Sequence, residues 1–407
     1  VLTNVHPDEA LKLVLEAVSV VAPHVGIEEI PLGEALGRAL ARNITSAIDH
    51  PPFDKAAMDG YAYIMGSNHA AYTVIDAVAA GSFSGAILKD NEAVRIMTGA
   101  FLPAGATGIQ RFEWTKDAGT DEQGRPLIAF TMREKITNII ARGENLRKGE
   151  ILLSPRILHA QDIGILAAGG ITKVAVSNRP KVGIISTGDE IVEAGRPLPP
   201  ASIYDSNGPQ LASQAEAAGA SARFYGVIRD REEDLRAALR QALADNHIII
   251  LSGGVSMGDF DLVPKVLESL GVQPVFHSLK MRPGKPTFFG HTDCTAVFCL
   301  PGNPVSTFVN FEVFVKPFIH GCMGLAYQPA IVRAKIAAPL VRKGSDRVEF
   351  LPGVLANGLD GVLATPLVYH GSSMITVLAH AHALFRMELG QDRIEAGEYV
   401  DARLIRT

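Results

Sequence analysis

Three short stretches hold the residues with the clearest capacity for chemistry: Ser186-Thr187-Gly188-Asp189-Glu190, Ser252-Gly253-Gly254-Val255-Ser256-Met257-Gly258-Asp259-Phe260-Asp261 and Pro301-Gly302-Asn303-Pro304-Val305-Ser306. Each follows an apolar run suited to a strand. A single glycine after a strand is ordinarily a tight turn. Three such loops on one sheet edge would present backbone N–H groups and helix N-termini together, which favours phosphate or another oxyanion. Arg282-Pro283-Gly284-Lys285-Pro286 adds two cations around a rigid turn, suited to charge-assisted bonds with a tetrahedral oxyanion. Asp189, Glu190 and Asp261 stand among these donors. Carboxylates there would repel an anion unless a hard divalent cation, Mg²⁺, joined them; for Asp261, helix capping is the competing role. Asp261 and Asp230 are the candidate metal ligands.

The loops must be held by a regular scaffold. From residue 179 apolar strand-like runs (182–186, 224–228, 247–251, 296–300) alternate with helical patterns (210–218, 232–244, 262–270). Strict alternation predicts a parallel sheet covered on both faces, with ligands beyond the carboxyl ends of its strands. Upstream, residues 7–21 read as one amphipathic helix with Leu11, Val14, Leu15 and Val18 at helical spacing, a packing element without chemistry. Residues 49–142 change to short strands at 72–78 and 127–132 between Gly, Pro and Asn turns. Strand patterns return at 331–341, 348–355 and 399–404.

Composition narrows the function classes. The chain has 407 residues, 47% of them apolar, and a net charge of −5, so no bulk positive field gathers nucleic acid or an acidic membrane. Apolar runs are too short for a bilayer, and the first ten residues lack a secretory pattern. Cys294, Cys299 and Cys322 lack metal-binding spacing and read as buried, reduced thiols of a cytoplasmic protein.

The motifs resemble the MogA-like domain of MoeA proteins and of the gephyrin E domain. The match runs through the three loops, Asp205-Ser206-Asn207 and Pro283-Gly284-Lys285-Pro286. Pro52-Phe53-Asp54, Ala57-Met58-Asp59-Gly60-Tyr61-Ala62, Ile96-Met97-Thr98-Gly99-Ala100 with Pro103, and Arg142-Gly143-Glu144 resemble the family's second-domain and linker motifs, so coverage is nearly complete. The resemblance implies a multidomain α/β plus β fold: a linker and dimerisation domain (1–48 and 143–178), a β-rich insertion domain (49–142), a doubly wound MogA-like domain (179–326) and a C-terminal β-domain (327–407). It implies an elongated homodimer that inserts molybdate into adenylyl-molybdopterin with Mg²⁺ and releases AMP, working beside other cofactor-biosynthesis proteins and apo molybdoenzymes. Asp59, Thr98, Glu190, Asp261, Lys285 and Ser306 would be catalytic. Thr187, Gly188, Asp189, Asp205, Asn207, Gly253, Gly254, Ser256, Arg282, Pro301 and Asn303 would bind the pterin nucleotide and oxyanion, completed by Arg347 and Ser372 from a partner subunit. The site would lie between the MogA-like domain of one subunit and the C-terminal domain of the other.

Several positions depart from the family pattern: Asn145 and His247 where Asp is usual, Arg282 for a frequent Lys, Pro352 and Ser373 where Arg and His are common, and Thr107 and Gln110 after Thr98. They leave two alternatives, a carrier or scaffold for the cofactor and a tungstate-preferring insertase. A nucleotide-dependent transferase unrelated to molybdenum would explain only the glycine loops.

Overall fold

The structure, a computed structural model, describes residues 1–254, 262–342, 344–359, 361–368 and 370–406. A six-stranded sheet lies at its centre, in the order Ser221–Ile228, Lys181–Thr187, Ile248–Ser252, Ala296–Leu300, Phe288–His291, Gln273–His277. The first four strands are parallel. Alternate side chains divide between its faces. Val182, Ile184, Ile250 and Phe298 are buried with Leu211, Ala215, Val305 and Phe314, whereas Ile185, Ile249, Leu251 and Val297 are buried with Leu235, Leu239, Val263 and Val266. The helices Asn207–Ala217 and Glu232–Asp245 therefore cover opposite faces, the arrangement that continuous apolar strands require.

The uniformly parallel sheet needs one correction. Phe288–His291 is antiparallel to both Ala296–Leu300 and Gln273–His277, because the turn closed by the Thr292 N–H on the Thr295 carbonyl at 2.8 Å is too short for a crossover. That turn also exposes Cys294, so only Cys299 and Cys322 are buried as expected; burial pushes the Cys322 thiol up to about 12.

The single helix expected over 7–21 breaks into Pro7–Glu16 and Val18–Val21. The Ser19 hydroxyl donates to the Glu16 carbonyl at 2.8 Å, competing with the helical ladder in a β-branched run. Ala10, Val14, Ala17 and Val21 are buried in the same cluster as the central sheet. Val18 packs over Gly321, where a Cβ would come within 2.7 Å of its methyl.

Two chain passages then run side by side toward the insertion domain, pairing Ile27–Pro31 with Lys173–Ser177, Ile44–Thr45 with Ile151–Leu153 and Lys55–Ala56 with Ile139–Ile140. The insertion holds a six-stranded sheet in which Glu92–Ile96 lies between Gly60–Tyr63 and Tyr72–Val78. At the other end, Val348–Gly358, Gly361–Pro366, Ile331–Ile336, Tyr399–Leu404 and Ala383–Met387 pair in order, and the first also pairs with the last. The sheet closes into a barrel around Ala334, Ala364, Phe385 and Met387. Met281–Arg282 adds in parallel to Val348 and Glu349, which fastens the Arg282-to-Pro286 turn to the barrel. Among the described residues no helix is long and apolar enough to cross a membrane.

Candidate functional site

The chain passes from Lys181–Thr187 outward to Ser221–Ile228, then crosses the opposite face to Ile248–Ser252. The strand order thus reverses between Lys181–Thr187 and Ile248–Ser252, and such a switch point opens a crevice beyond the carboxyl ends of the strands. A cavity of about 550 Å³ lies there, lined by Thr187, Gly188, Glu190, Asp205, Asn207, Asp230, Gly253, Gly254, Pro301 and Asn303. Gly253 lets two loops meet. It has φ +92°, and a Cβ on it would stand 2.5 Å from the Thr187 carbonyl oxygen.

Polar groups shape this crevice before any ligand enters. Asp205 accepts from the backbone N–H groups of Asn207 and Gly208, both at 3.0 Å, and from the Ser186 hydroxyl at 2.9 Å. Its carboxylate thus holds the start of the following helix while lining the cavity. The Asn207 amide donates to the Ser252 hydroxyl at 2.7 Å and the Gly302 carbonyl at 2.6 Å, tying the second and third loops together. Among the described residues, the Thr187 hydroxyl and the Asn207 amide oxygen are buried without hydrogen-bond partners. Buried polar atoms left this way cost about 1–3 kcal/mol each, and both line the cavity. Burial first, then the charges of Asp189 and Glu190, hold the Asp230 carboxyl above its usual range.

A second cavity, about 820 Å³, shares Pro286, Pro301 and Asn303 with the first and is lined by Arg282, Lys285, Ser306, Arg342, Arg347, Glu349 and Ser372. Among the described residues four cations and one carboxylate line it, and Arg347 also pairs with Asp346 at 3.4 Å outside the lining. Glu349 is buried between Arg282 at 3.3 Å and Arg342 at 3.4 Å, leaving a positive surplus suited to an oxyanion. The turn carrying Lys285 is itself braced: the Thr287 hydroxyl donates to the Gly284 carbonyl at 2.8 Å and to Asn310 at 2.9 Å.

The structure places Arg347 and Ser372 differently from the resemblance. Ser372 accepts from the Asn303 amide at 3.0 Å within the same chain, and the Val305 N–H donates to its carbonyl at 3.0 Å. Met281–Arg282 is stitched to the barrel, and within one chain Arg347 and Ser372 line the same cavity as Lys285 and Ser306. Asp189 is exposed and does not line the first cavity, although its charge reaches Asp230. Ser256 and Asp261 lie outside the described residues. Asp59 and Thr98 line neither cavity. Asp59 accepts the Thr98 N–H and hydroxyl, both at 2.7 Å, and these bonds hold its carboxyl below its usual range.

Sequence reasoning missed Arg342 and Glu349. Nothing local marks them; the only signal is an acid between Val348 and Phe350 in an otherwise buried strand.

Comparison with known proteins bears directly on this site. Residues 5–170 match the family model of the MoeA N-terminal region (domains I and II), residues 183–321 that of a probable molybdopterin binding domain, and residues 333–405 that of the MoeA C-terminal region (domain IV). A molybdopterin molybdenumtransferase of Staphylococcus epidermidis is 32% identical over 99% of this chain and 96% of its own length. The chain belongs to the MoeA family of molybdopterin molybdenumtransferases. A Staphylococcus aureus relative of the same name is 32% identical over 91% of the chain and 90% of its own length. The solved molybdopterin biosynthesis MoeA protein of Pyrococcus horikoshii OT3 superposes with TM-score 0.84 and 29% identity, covering 99% of this chain and 100% of its own.

The departures from the family pattern can now be located. Asn145, His247, Pro352 and Ser373 line neither cavity. Thr107 and Gln110 bond within the insertion domain, to the N–H groups of Met65 at 2.8 Å and Glu134 at 3.2 Å. Of the changes noted, Arg282 alone reaches the site, and it keeps the positive charge.

Proposed function

We propose that the chain binds adenylyl-molybdopterin across the two cavities, releases AMP and transfers molybdate to the dithiolene. Family membership supports the broader statement, a transferase of molybdenum cofactor biosynthesis. One observation carries the finer reading: a glycine-floored crevice with two partnerless buried polar atoms adjoins, through shared walls, a cation-rich cavity. Thr187, Asn207 and the loop backbones would hold the nucleotide phosphates. Arg282, Lys285, Arg347, Ser306 and Ser372 would hold molybdate. Cleaving the phosphoanhydride then needs positioning and charge neutralisation more than a covalent nucleophile. The protein would act in the cytoplasm, passing cofactor between other biosynthesis proteins and apo molybdoenzymes.

Mg²⁺ would be held on the carboxylate side of the crevice by Asp230 and Glu190; Asp261, the other expected ligand, lies outside the described residues. Such an ion usually keeps several waters and substrate phosphates in its shell, so a few carboxylates suffice to hold it. When bound it would neutralise charge on the phosphates. A carboxyl whose folded value is raised contributes stability below its unfolded value, and that contribution is lost as pH rises through the folded value. At neutral pH Asp230, Asp189 and Glu190 therefore repel one another. Mg²⁺ is expected to raise Tm at about pH 7 and not at about pH 3, below the ordinary carboxylate range, and Asp230→Asn is expected to abolish the increase. A full Mg²⁺ effect on Tm in Asp230→Asn would remove this residue from the metal site.

Asp59 and Thr98 lie apart from both cavities in one chain, so their catalytic assignment requires a second copy whose insertion domain reaches the crevice, consistent with a homodimer. Mixing inactive Asp59→Asn and Lys285→Ala subunits at equal ratio should restore about a quarter of wild-type activity, since half the dimers then carry one intact site. No recovery after verified subunit exchange would contradict a shared site.

A further inference from the structure

The opposite edge of the central sheet carries a second concentration of positive charge that the proposed reaction does not use. A cavity of about 430 Å³ opens at the amino ends of Lys181–Thr187 and Ile248–Ser252. Its charged and titratable walls are His24, Glu28, Arg38, Arg179, Lys181 and His247. Three permanent cations face a single carboxylate, in a chain whose net charge is −5.

Two of these groups are set in place by the fold. The Lys181 backbone N–H donates to His247 Nδ1 at 3.0 Å, which fixes the neutral tautomer with its proton on Nε2, and the ring is hydrogen-bonded to the His24 backbone. The Arg38 guanidinium is largely buried; its Nη2 donates to Glu28 at 2.5 Å and to the Ser177 carbonyl at 3.0 Å. That pairing consumes the one carboxylate, so Arg179 and Lys181 face the cavity without a counter-ion among the described residues. The walls come from separate parts of the chain: the turn Ala22–His24, the strand Ile27–Pro31, the loop holding Arg38, and two strands of the central sheet.

We infer that this cavity is a binding site for a small multiply charged oxyanion of the phosphate type, held by Lys181 and Arg179 with Arg38 behind them and with the His247 ring as part of its wall. Lys181 and Thr187 stand at opposite ends of one strand, about 20 Å apart at roughly 3.3 Å per residue, so this site is separate from the crevice and independent of the reaction proposed there. Burial first, then the charge of Lys181 and that of His24, hold the His247 imidazole below its usual range. A bound dianion supplies the missing counter-charge and moves that titration upward.

The test uses the full-length protein, inorganic phosphate as the probe, and histidine-selective NMR with isothermal titration calorimetry at constant ionic strength. Saturable one-to-one binding is expected, with the His247 ring signals shifting and its titration midpoint rising. His247→Asp should weaken binding by at least tenfold, and Arg179→Glu, at an exposed position, should do so too; both should leave AMP release unchanged. The His247 shift should persist in Lys285→Ala, where the catalytic oxyanion cavity is impaired. Displacement of phosphate by AMP but not by malonate would identify a phosphomonoester as the favoured source, and the reverse a dicarboxylate. Phosphate effects that fail to saturate, that potassium chloride reproduces, or that His247→Asp retains in full would overturn the proposal.

Discussion

Lys285→Ala is expected to lower molybdate-dependent cofactor formation by about 100-fold or more, the usual consequence of removing one charged donor from a preorganised oxyanion site. Lys285 sits on a turn fixed at one end by Met281–Arg282 against the barrel and at the other by Thr287 on Asn310. Lys285 thus lines the same cavity as Ser306 and Ser372 from a preset backbone position. The loss should appear mainly as a higher molybdate requirement, with nucleotide binding in the neighbouring crevice kept. Ser306→Ala removes one hydrogen bond to a charged group, worth about 1.5–3 kcal/mol, so its effect should be roughly 10- to 150-fold. Turnover by Lys285→Ala at wild-type molybdate concentrations would take this residue out of the site.

Gly253→Ala should be more damaging, because it alters the backbone on which the crevice is built. A methyl there would lie 2.5 Å from the Thr187 carbonyl oxygen and 3.0 Å from its hydroxyl, at φ +92°. Left-handed strain costs about 1–3 kcal/mol, and the contact forces the Ile248–Ser252 and Lys181–Thr187 loops apart. A stability loss of about 2–4 kcal/mol is expected, in the range where named backbone clashes fall, together with loss of nucleotide binding. Gly302→Ala is the control, since among the described residues a Cβ there meets only the Gly253 Cα, at 3.8 Å, and should be nearly neutral. A Gly253→Ala protein with unchanged Tm and nucleotide affinity would show that the close approach is unimportant.

The crevice was legible in the sequence because glycine, proline and asparagine punctuate the ends of apolar strands, and such strands must be covered on both faces. Thr187, Gly188, Glu190, Asn207, Asp230, Gly253, Gly254, Pro301 and Asn303 all line one cavity as that logic requires. The antiparallel edge was less legible. Pro274 interrupts the pattern of Gln273–His277, and its strand is tolerated because it lies at the edge of the sheet. Arg342 and Glu349 were hidden for a different reason: they face the cavity only once Val348–Gly358 is both a barrel strand and the neighbour of Met281–Arg282. Closure of that barrel depends on Ala383–Met387 pairing with Val348–Gly358 and Tyr399–Leu404, a long-range choice that local spacing does not carry. The same limit explains Arg347 and Ser372, whose placement in the chain's own site follows from the docking of two domains.

The most direct measurement is a reconstitution with purified protein, adenylyl-molybdopterin, Mg²⁺ and either molybdate or tungstate, following AMP release and activation of an apo molybdoenzyme. AMP release that depends on Mg²⁺, with activation by molybdate, is the predicted result. Activation by tungstate alone would keep the insertase and change its metal. Tight pterin binding with neither AMP release nor activation would contradict the account and make the chain a carrier.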